Sequence, residues 1–428
     1  MTTEEDMKNF FGRFPTKTFA NNTCQIFGAY CSIGVVKTEE GLIVFDLSIK
    51  RYGKRVLEEI RKFSDKPIKY IIYSHGHFDH AFGFTKILEE IKEKGWKMPQ
   101  VIAHENILKR FEKYRMLHGY HNWLNKMQFS SSGQNIEEDI VSAYETLDPT
   151  IVIRGNDKYQ FSLGNYTFEV YHDMGETDDS LWMFFPEKKV LFTGDLVMNP
   201  SYPNVGNPNK VQRYPKHWAV AMEKMLEKNA EYIVPGHGRL IEGKDDVKET
   251  LSIRAEAMHF VHDEVVKRMN EGKWFPEILH EMLEIEPDKF KNNKFLKPSY
   301  GCYRFAIHAT YRLYHGWYNT GNPTDLFPSK SDEIAKEILK VADDTKFLEQ
   351  ARKLYDERKI QLALHLVDIV IKGSTLENKT LLEAYTLKKE LLKTMRDEVE
   401  PSFIAKNSYN IGFNQLKNKI KELRRKLK

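Results

Sequence analysis

Cysteine is scarce. The three thiols, Cys24, Cys31 and Cys302, are odd in number and widely spaced, which excludes a disulfide framework. No apolar run approaches the ~20 residues that a membrane span needs. The opening stretch Met1-Thr2-Thr3-Glu4-Glu5-Asp6 is acidic and lacks the apolar core of a secretory signal. Charge of one sign is also missing: 65 basic residues stand against 61 acidic ones, a net +4 over 428 residues. Such a balance exerts no strong pull toward nucleic acid or a membrane surface. The basic end Lys417 to Lys428 carries Leu416, Ile420, Leu423 and Leu427 at helical spacing, as a solvated amphipathic helix does and a nucleic-acid arm does not. Repeats and low-complexity tracts are absent. What remains reads as a cytoplasmic enzyme with no nucleic-acid or membrane partner. Its 41% hydrophobic and 12% aromatic content is enough to fill a large core and more than one domain.

Against that background one stretch stands out. His75-Gly76-His77-Phe78-Asp79-His80 packs four metal-ligand side chains into six residues. It follows Ile68-Lys69-Tyr70-Ile71-Ile72-Tyr73, which reads as a buried strand, and precedes Ala81 to Lys94, which has helical spacing. A lone His in a loop is usually an ordinary polar residue. Four ligand types on a strand-to-helix loop point instead to a reactive centre held by a rigid scaffold. Alternation along the loop can aim His75 and His77 at one ion and Asp79 and His80 at another. Imidazole and carboxylate suit Zn, Mn or Fe.

Later segments offer the missing ligands. Tyr166 to His172 reads as a strand followed by the polar loop Asp173 to Ser180, which holds Glu176. Leu181 to Phe185 and Lys189 to Thr193 form a hairpin that delivers Gly194-Asp195 to a strand end. Glu231 to Val234 is a strand followed by Pro235-Gly236-His237-Gly238. Cys24 to Asp46 reads as an opening hairpin turning at Glu39-Glu40-Gly41, with Asp46 at its end. Residues 105 to 150 exceed a simple connection and read as a lid holding Tyr120, His121, Asn122 and Trp123 near a substrate.

The order HxHxDH, a loop carboxylate, Gly-Asp and Gly-His resembles the metallo-β-lactamase superfamily. The resemblance implies an α/β (α+β) fold: an αββα sandwich carrying a dinuclear site, over residues 1–250, followed by an all-α C-terminal domain over 251–428. It implies two divalent ions, most simply Zn2+, with Mn or Fe open. His75, His77 and Glu176 would hold one; Asp79, His80 and His237 the other; Asp195 would bridge, and Asp79 and Asp195 would take part in catalysis. Asp46 would orient a ligand His from behind. Most members carry His where this chain has Glu176; the alkyl sulfatase branch carries Glu. Tyr300-Gly301, Tyr311, Tyr314, Gly316-Trp317, Gly321-Asn322-Pro323 and Asn407-Ser408-Tyr409 resemble the segment leading into, and the body of, that branch's helical dimerisation domain, so a homodimer is expected.

The implied reaction is hydrolysis of a small anionic ester by a metal-bridging hydroxide, a sulfate ester first. Substrate contacts are expected from Arg213, whose planar fork suits an anion, and from Asn204, Tyr120, His121 and Tyr303. His217, Tyr303, Tyr120 or a second water could supply the proton. Two departures keep a lactone, thioester or phosphodiester open. A sulfate-holding His of the branch corresponds to a place near Phe305, and its His-Asn and Arg-Gly stretch is replaced by Pro203 to Tyr214. A di-iron reductase is disfavoured, since those relatives place Glu where this chain has His77. A binding protein without catalysis is disfavoured because every ligand position is filled.

Overall fold

A computed structural model describes residues 12–28, 30–129 and 145–428. They form two compact units. One comprises the described residues up to Leu124 and those from 145 to Trp317; the other comprises Asn125 to Phe129 and Tyr318–Lys428.

The first unit is built on two mixed sheets. Seven strands lie in chain order: β1 (Lys17–Phe19), β2 (Thr23–Phe27), β3 (Ser32–Lys37), β4 (Leu42–Phe45), β5 (Ile68–Ile72), β6 (Gln100–His104) and β7 (Ile151–Ile153). The first four are antiparallel and β4 to β7 pair in parallel. The second sheet has six: β8 (Tyr159–Leu163), β9 (Tyr166–His172), β10 (Leu181–Phe185), β11 (Val190–Asn199), β12 (Tyr232–Gly238) and β13 (Ile241–Glu242). All its pairs are antiparallel except β11 with β12. Parallel strands buried on both faces read as continuous apolar runs, and Leu42-Ile43-Val44-Phe45 and Ile71-Ile72 do so.

Helices cover both outer faces. On the first sheet lie α1 (Gly53–Phe63), the single turn α2 (Phe78–Ala81), α3 (Thr85–Lys94) and α4 (Asn106–Met116); α5 (His118–Phe129) follows, its last five residues grouping with the second unit. On the second sheet lie α6 (Pro215–Leu226), α7 (Lys244–Asn270), α8 (Phe275–Glu284), α9 (Asp288–Lys291) and α10 (Tyr303–Tyr314). Three apolar clusters separate the four layers. Val36, Phe45, Ile72, Phe168 and Phe192 fill the space between the sheets. Val56, Ile60, Ile87 and Phe111 seat helices on the first sheet. Trp182, Leu191, Trp218, Met258 and Tyr311 seat helices on the second. The αββα expectation holds.

The second unit is helical throughout: α11 (Ser331–Val341), α12 (Asp344–Asp356), α13 (Ile360–Gly373), α14 (Lys379–Thr394) and α15 (Phe403–Lys426). Ala351, Ala363, Leu364, Val367, Leu387 and Leu391 make its core. Asp343 and Asn378 cap α12 and α14 by accepting the N–H of Thr345 and Leu381.

Several elements differ from the sequence reading. By compactness the units divide between Trp317 and Tyr318, which leaves the expected domain boundary at 250/251 inside the first unit. Val247, Leu251, Met258 and Val261 of α7 share one apolar cluster with the β10 to β12 strands, so these helices close the sandwich. The opening hairpin is a three-strand meander, because β2 pairs with β3 before the chain turns at Thr38 to Gly41 into β4. Asp195 lies within β11, where the ladder to β12 is irregular around Gly194, and not at a strand end. The lid expectation is described only outside 130–144, as α4, α5 and the segment before β7.

The helix expected from Ala81 to Lys94 is broken at Gly83, for a steric reason. A Cβ there would lie 1.9 Å from the Leu47 carbonyl oxygen. The close approach keeps the Asp46–Leu47 turn against α2, where the Leu47 N–H donates to the His80 carbonyl at 2.7 Å. Gly83→Ala should therefore destabilise the fold by about 1–3 kcal/mol, read as a lowered denaturation midpoint at unchanged m. An unchanged midpoint would contradict this packing.

Candidate metal centre

The site gathers at the ends and irregular points of four strands. After β5 the chain turns sharply, and Asp46, buried and left-handed at φ 64°, holds that turn. One carboxylate oxygen accepts the Ser74 N–H at 2.7 Å; the other lies 2.8 Å from His80 Nδ1. His237 Nδ1 donates to the Tyr30 carbonyl, and His75 Nδ1 lies 3.0 Å from Ser74 Oγ. Each of these rings has one nitrogen engaged from behind and the other turned inward, which is how ligand imidazoles are oriented. The Gly76 N–H donates to Asp179 at 2.9 Å, and Asp179 pairs with Arg110 at 3.0 Å. This pins the loop from its other side.

The inward atoms fall into two groups, His75 with His77 and Asp195, and Asp79 with His80 and His237, each within 4.8 Å. His75 Nε2 and His77 Nδ1 are 2.8 Å apart. Asp79 Oδ2 is 3.7 Å from His80 Nε2 and 3.6 Å from His237 Nε2. Asp195 stands between the groups. Its Oδ1 is 3.1 Å from His237 Nε2 and 3.3 Å from His80 Nε2, and its Oδ2 is 3.8 Å from His75 Nε2. A Cβ at Gly236 would sit 2.2 Å from Asp195 Oδ1, so the Gly-His pair leaves the room this carboxylate needs.

Glu176 lies beside the first group, its Oε1 3.9 Å from His77 Nδ1. That oxygen is engaged by Arg213 at 2.5 Å and by the Asn204 amide at 2.9 Å. Glu176 Oε2, His80 Nε2 and Asp195 Oδ1 are buried and make no hydrogen bond. Buried polar atoms are seldom left so, and all three belong to ligand types aimed at the cluster. The residues fit a pair of divalent cations.

Electrostatics agree. Burial alone would raise Asp195, but the charges of His237 and His80 outweigh it and hold the carboxyl well below its usual range. Burial works against charge on His80 too, yet Asp195, Asp46 and Asp79 drive that imidazole well above its ordinary value. This concentration of carboxylate is what a cation would neutralise. His75 is lowered to about 3 by burial and by His80, and His77 well below its ordinary value by burial and His75; both stay neutral and able to ligate. Burial pushes Glu176 up to about 8 against the pull of Arg213.

A cleft of about 670 Å³ opens on His77 and Glu176. Tyr120 and His121 line it, the first half-exposed and the second buried. Arg213 lines it too, with one edge already on Glu176. The other expected contacts are placed differently. Asn204 is buried behind Glu176 and is not part of the cleft wall. Tyr303 is packed in the α7–α10 core, its hydroxyl donating to the Met282 carbonyl at 3.0 Å. His217 is exposed on α6 against Tyr214. At Gly206, with φ 77°, a Cβ would meet the Phe305 carbonyl oxygen at 1.6 Å, so the loop after β11 lies directly on the first turn of α10. Sequence reasoning missed Lys113 and Lys210 of the cleft wall, and the Asp179–Arg110 pair. Asp179 lay within a loop already marked as polar; nothing in the spacing singled out the two lysines.

Residues 27–237 match the metallo-beta-lactamase superfamily, and residues 275–419 match the alkyl sulfatase dimerisation family. The chain carries a metallo-β-lactamase domain followed by an alkyl sulfatase dimerisation domain. A linear primary-alkylsulfatase from Pseudomonas sp. is 27% identical over 321 residues, 71% of this chain and 59% of that protein. An (R)-specific secondary-alkylsulfatase from Pseudomonas sp. is 24% identical over 78% of this chain and 53% of its own length. The chain thus spans between half and three fifths of these relatives. The solved structure of a stereoselective inverting sec-alkylsulfatase from Pseudomonas sp. shares the fold, with a TM-score of 0.77 at 20% identity, covering 92% of this chain and 64% of that one.

The Asp46–His80 contact has a measurable consequence. Asp46→Asn tolerates the left-handed backbone and removes the charge behind His80. Metal affinity should fall about 10–100-fold, read by competition with a chelator, with the circular dichroism spectrum retained. Undiminished affinity would remove Asp46 from the centre.

Proposed function

We propose that this chain is a dinuclear metal-dependent hydrolase of sulfate esters. His75, His77 and Glu176 would hold one ion and Asp79, His80 and His237 the second, with Asp195 placed between the two sets. The observation that carries the reading is Asp195, whose two oxygens face different histidine sets. Divalent cations held there, most simply Zn2+, would supply Lewis acidity that lowers the pKa of water from about 15.7 toward 7 and polarises an ester.

The chain's own residues do the rest. Asp46, Tyr30 and Ser74 fix the imidazoles so that no reorganisation is needed during reaction. Arg213 and Asn204 aim Glu176, and Arg213 pulls it toward its ionised form against the burial that raises it. The cleft combines cationic side chains, among them Lys113, Lys210 and Arg312, with apolar ones, among them Leu117, Trp123 and Val211. That mixture suits an ester with an anionic head and an apolar body. The Glu at 176 and the sulfatase relatives support sulfate as the head. Hydrolysis of a lactone, thioester or phosphodiester is the second reading, favoured by Phe305 and by the loop from Pro203 to Tyr214, which depart from the sulfatase pattern.

The match over residues 275–419 supports a homodimer. Three free, buried cysteines suit a reducing compartment such as the cytoplasm. Among the described residues no helix is long and apolar enough to cross a membrane.

A hydrolysis panel separates the readings. Medium-chain alkyl sulfates should release inorganic sulfate, and His77→Ala should abolish turnover together with part of the metal content. Turnover confined to lactones, thioesters or phosphodiesters would move the substrate and keep the centre. Full activity of His77→Ala on every substrate would refute a two-metal reaction.

A further inference from the structure

The two ligand sets rest on different supports. Behind His80 and His237 stand the Asp46 carboxylate and the Tyr30 carbonyl. Asp46 also accepts the Ser74 N–H, at the edge of the first set. The first set itself draws ligands from two separate loops, His75 and His77 after β5 and Glu176 after β9. A buried joint ties those loops together. The Asp179 carboxylate, shortly after Glu176 and only 1% exposed, accepts the Gly76 N–H at 2.9 Å, between His75 and His77.

Arg110 of α4 closes the joint. Its Nε donates at 3.1 Å to both Asp179 oxygens, and its Nη2 lies 3.0 Å from Oδ1. The same Nη2 donates to the Asp178 carboxylate at 2.6 Å. Asn106, one turn earlier on α4, donates its side-chain amide to the Asp178 carbonyl at 3.1 Å. The packing leaves no slack. A Cβ on Gly76 would lie 2.7 Å from Ile107 Cγ1, 3.0 Å from Arg110 Cδ and 3.1 Å from Asp179 Oδ2. Burial alone would raise the Asp179 carboxyl, but Arg110 outweighs it and holds it at about 2. A charged fork on a carboxylate fixes direction as well as distance.

Resting on the two-ion reading above, we infer that Arg110 and Asp179 are positioning residues for the first ion, setting its affinity through the spacing of His75, His77 and Glu176. The hydrogen bond at Gly76 restrains both neighbouring imidazoles at once. The short run from Asp179 back to Glu176 passes the same restraint to the carboxylate. Ligands ordered before binding spare the ion the cost of ordering them, so loss of the joint weakens the position whose ligands it aligns. His80 and His237 keep their own supports. A pair that only stabilised the fold would weaken both positions alike.

Chelator competition on the full, Zn2+-loaded chain tests this, with anomalous diffraction at buffered free Zn2+ assigning occupancy to each position. Asp179→Ala removes the acceptor and the charge, Asp179→Asn keeps an oxygen for the Gly76 N–H, and Arg110→Lys keeps a charge without the fork. In Asp179→Ala and Arg110→Lys the position beside His75 and His77 should lose about 10–100-fold in affinity, while the one beside His80 and His237 stays within about threefold. Asp179→Asn should lose less at the first position, and Asp46→Asn should lose more at the second. Circular dichroism checks folding; if Asp179→Ala does not fold, Arg110→Lys and Asp179→Asn carry the test. Equal weakening of both positions, or unchanged binding beside His75 and His77 in folded Arg110→Lys, would overturn the inference. Wild-type protein that holds two ions yet cleaves no ester would overturn the hydrolase reading and leave this one standing. Fewer than two ions in the wild type would bring down both.

Discussion

A carboxylate buried between two sets of imidazoles is unstable unless something positive shares the space. Removing an ion from water costs several kcal/mol even after relaxation. Here Asp195, Asp46, Asp79 and Glu176 crowd one pocket with four histidines. The fold meets that cost in two ways. It engages the outer atoms of the cluster with hydrogen bonds from the surrounding loops, and it leaves the inner ones facing one another, where cations fit. The rest of the structure can be understood from that constraint.

The two sheets make the convergence possible. Ligands separated by more than 150 residues come together because β5, β9, β11 and β12 bring their following loops or irregular segments to one region. Close backbone approaches then set the details. Gly83 brings the Asp46 turn against α2, and Gly236 clears space for Asp195. Arg213 and Asn204 do the same for Glu176 from the loop after β11. Anion-binding side chains suggested by charge alone thus prove to be partly occupied in holding a carboxylate of the centre.

Sequence patterns revealed the ligands because chemistry restricts residue type there: His75 to His80, Gly194-Asp195 and Gly236-His237 could be read as letters. Asp46 could be read as well, since a strand end that carries an acid is a local feature. Packing partners could not. Helical spacing marks Tyr303 as belonging to a buried face without saying which core it enters, and Tyr303 goes into the α7–α10 interior. The same spacing predicts α7 and is silent about whether it closes the sandwich or begins the next domain. Lys210 is one polar residue among many in a loop; only its place on the cleft wall with His77 and Glu176 sets it apart.

The central claim is that Asp195 is shared by two ions, one for each histidine set. Anomalous diffraction from crystals of the metal-loaded protein, collected on both sides of the metal's absorption edge, tests it directly. The account predicts two peaks about 3.5–4 Å apart, one beside His75 and His77 and one beside His80 and His237, with an Asp195 oxygen directed at each. A single peak at full metal loading, or two peaks with Asp195 turned away from both, would contradict it.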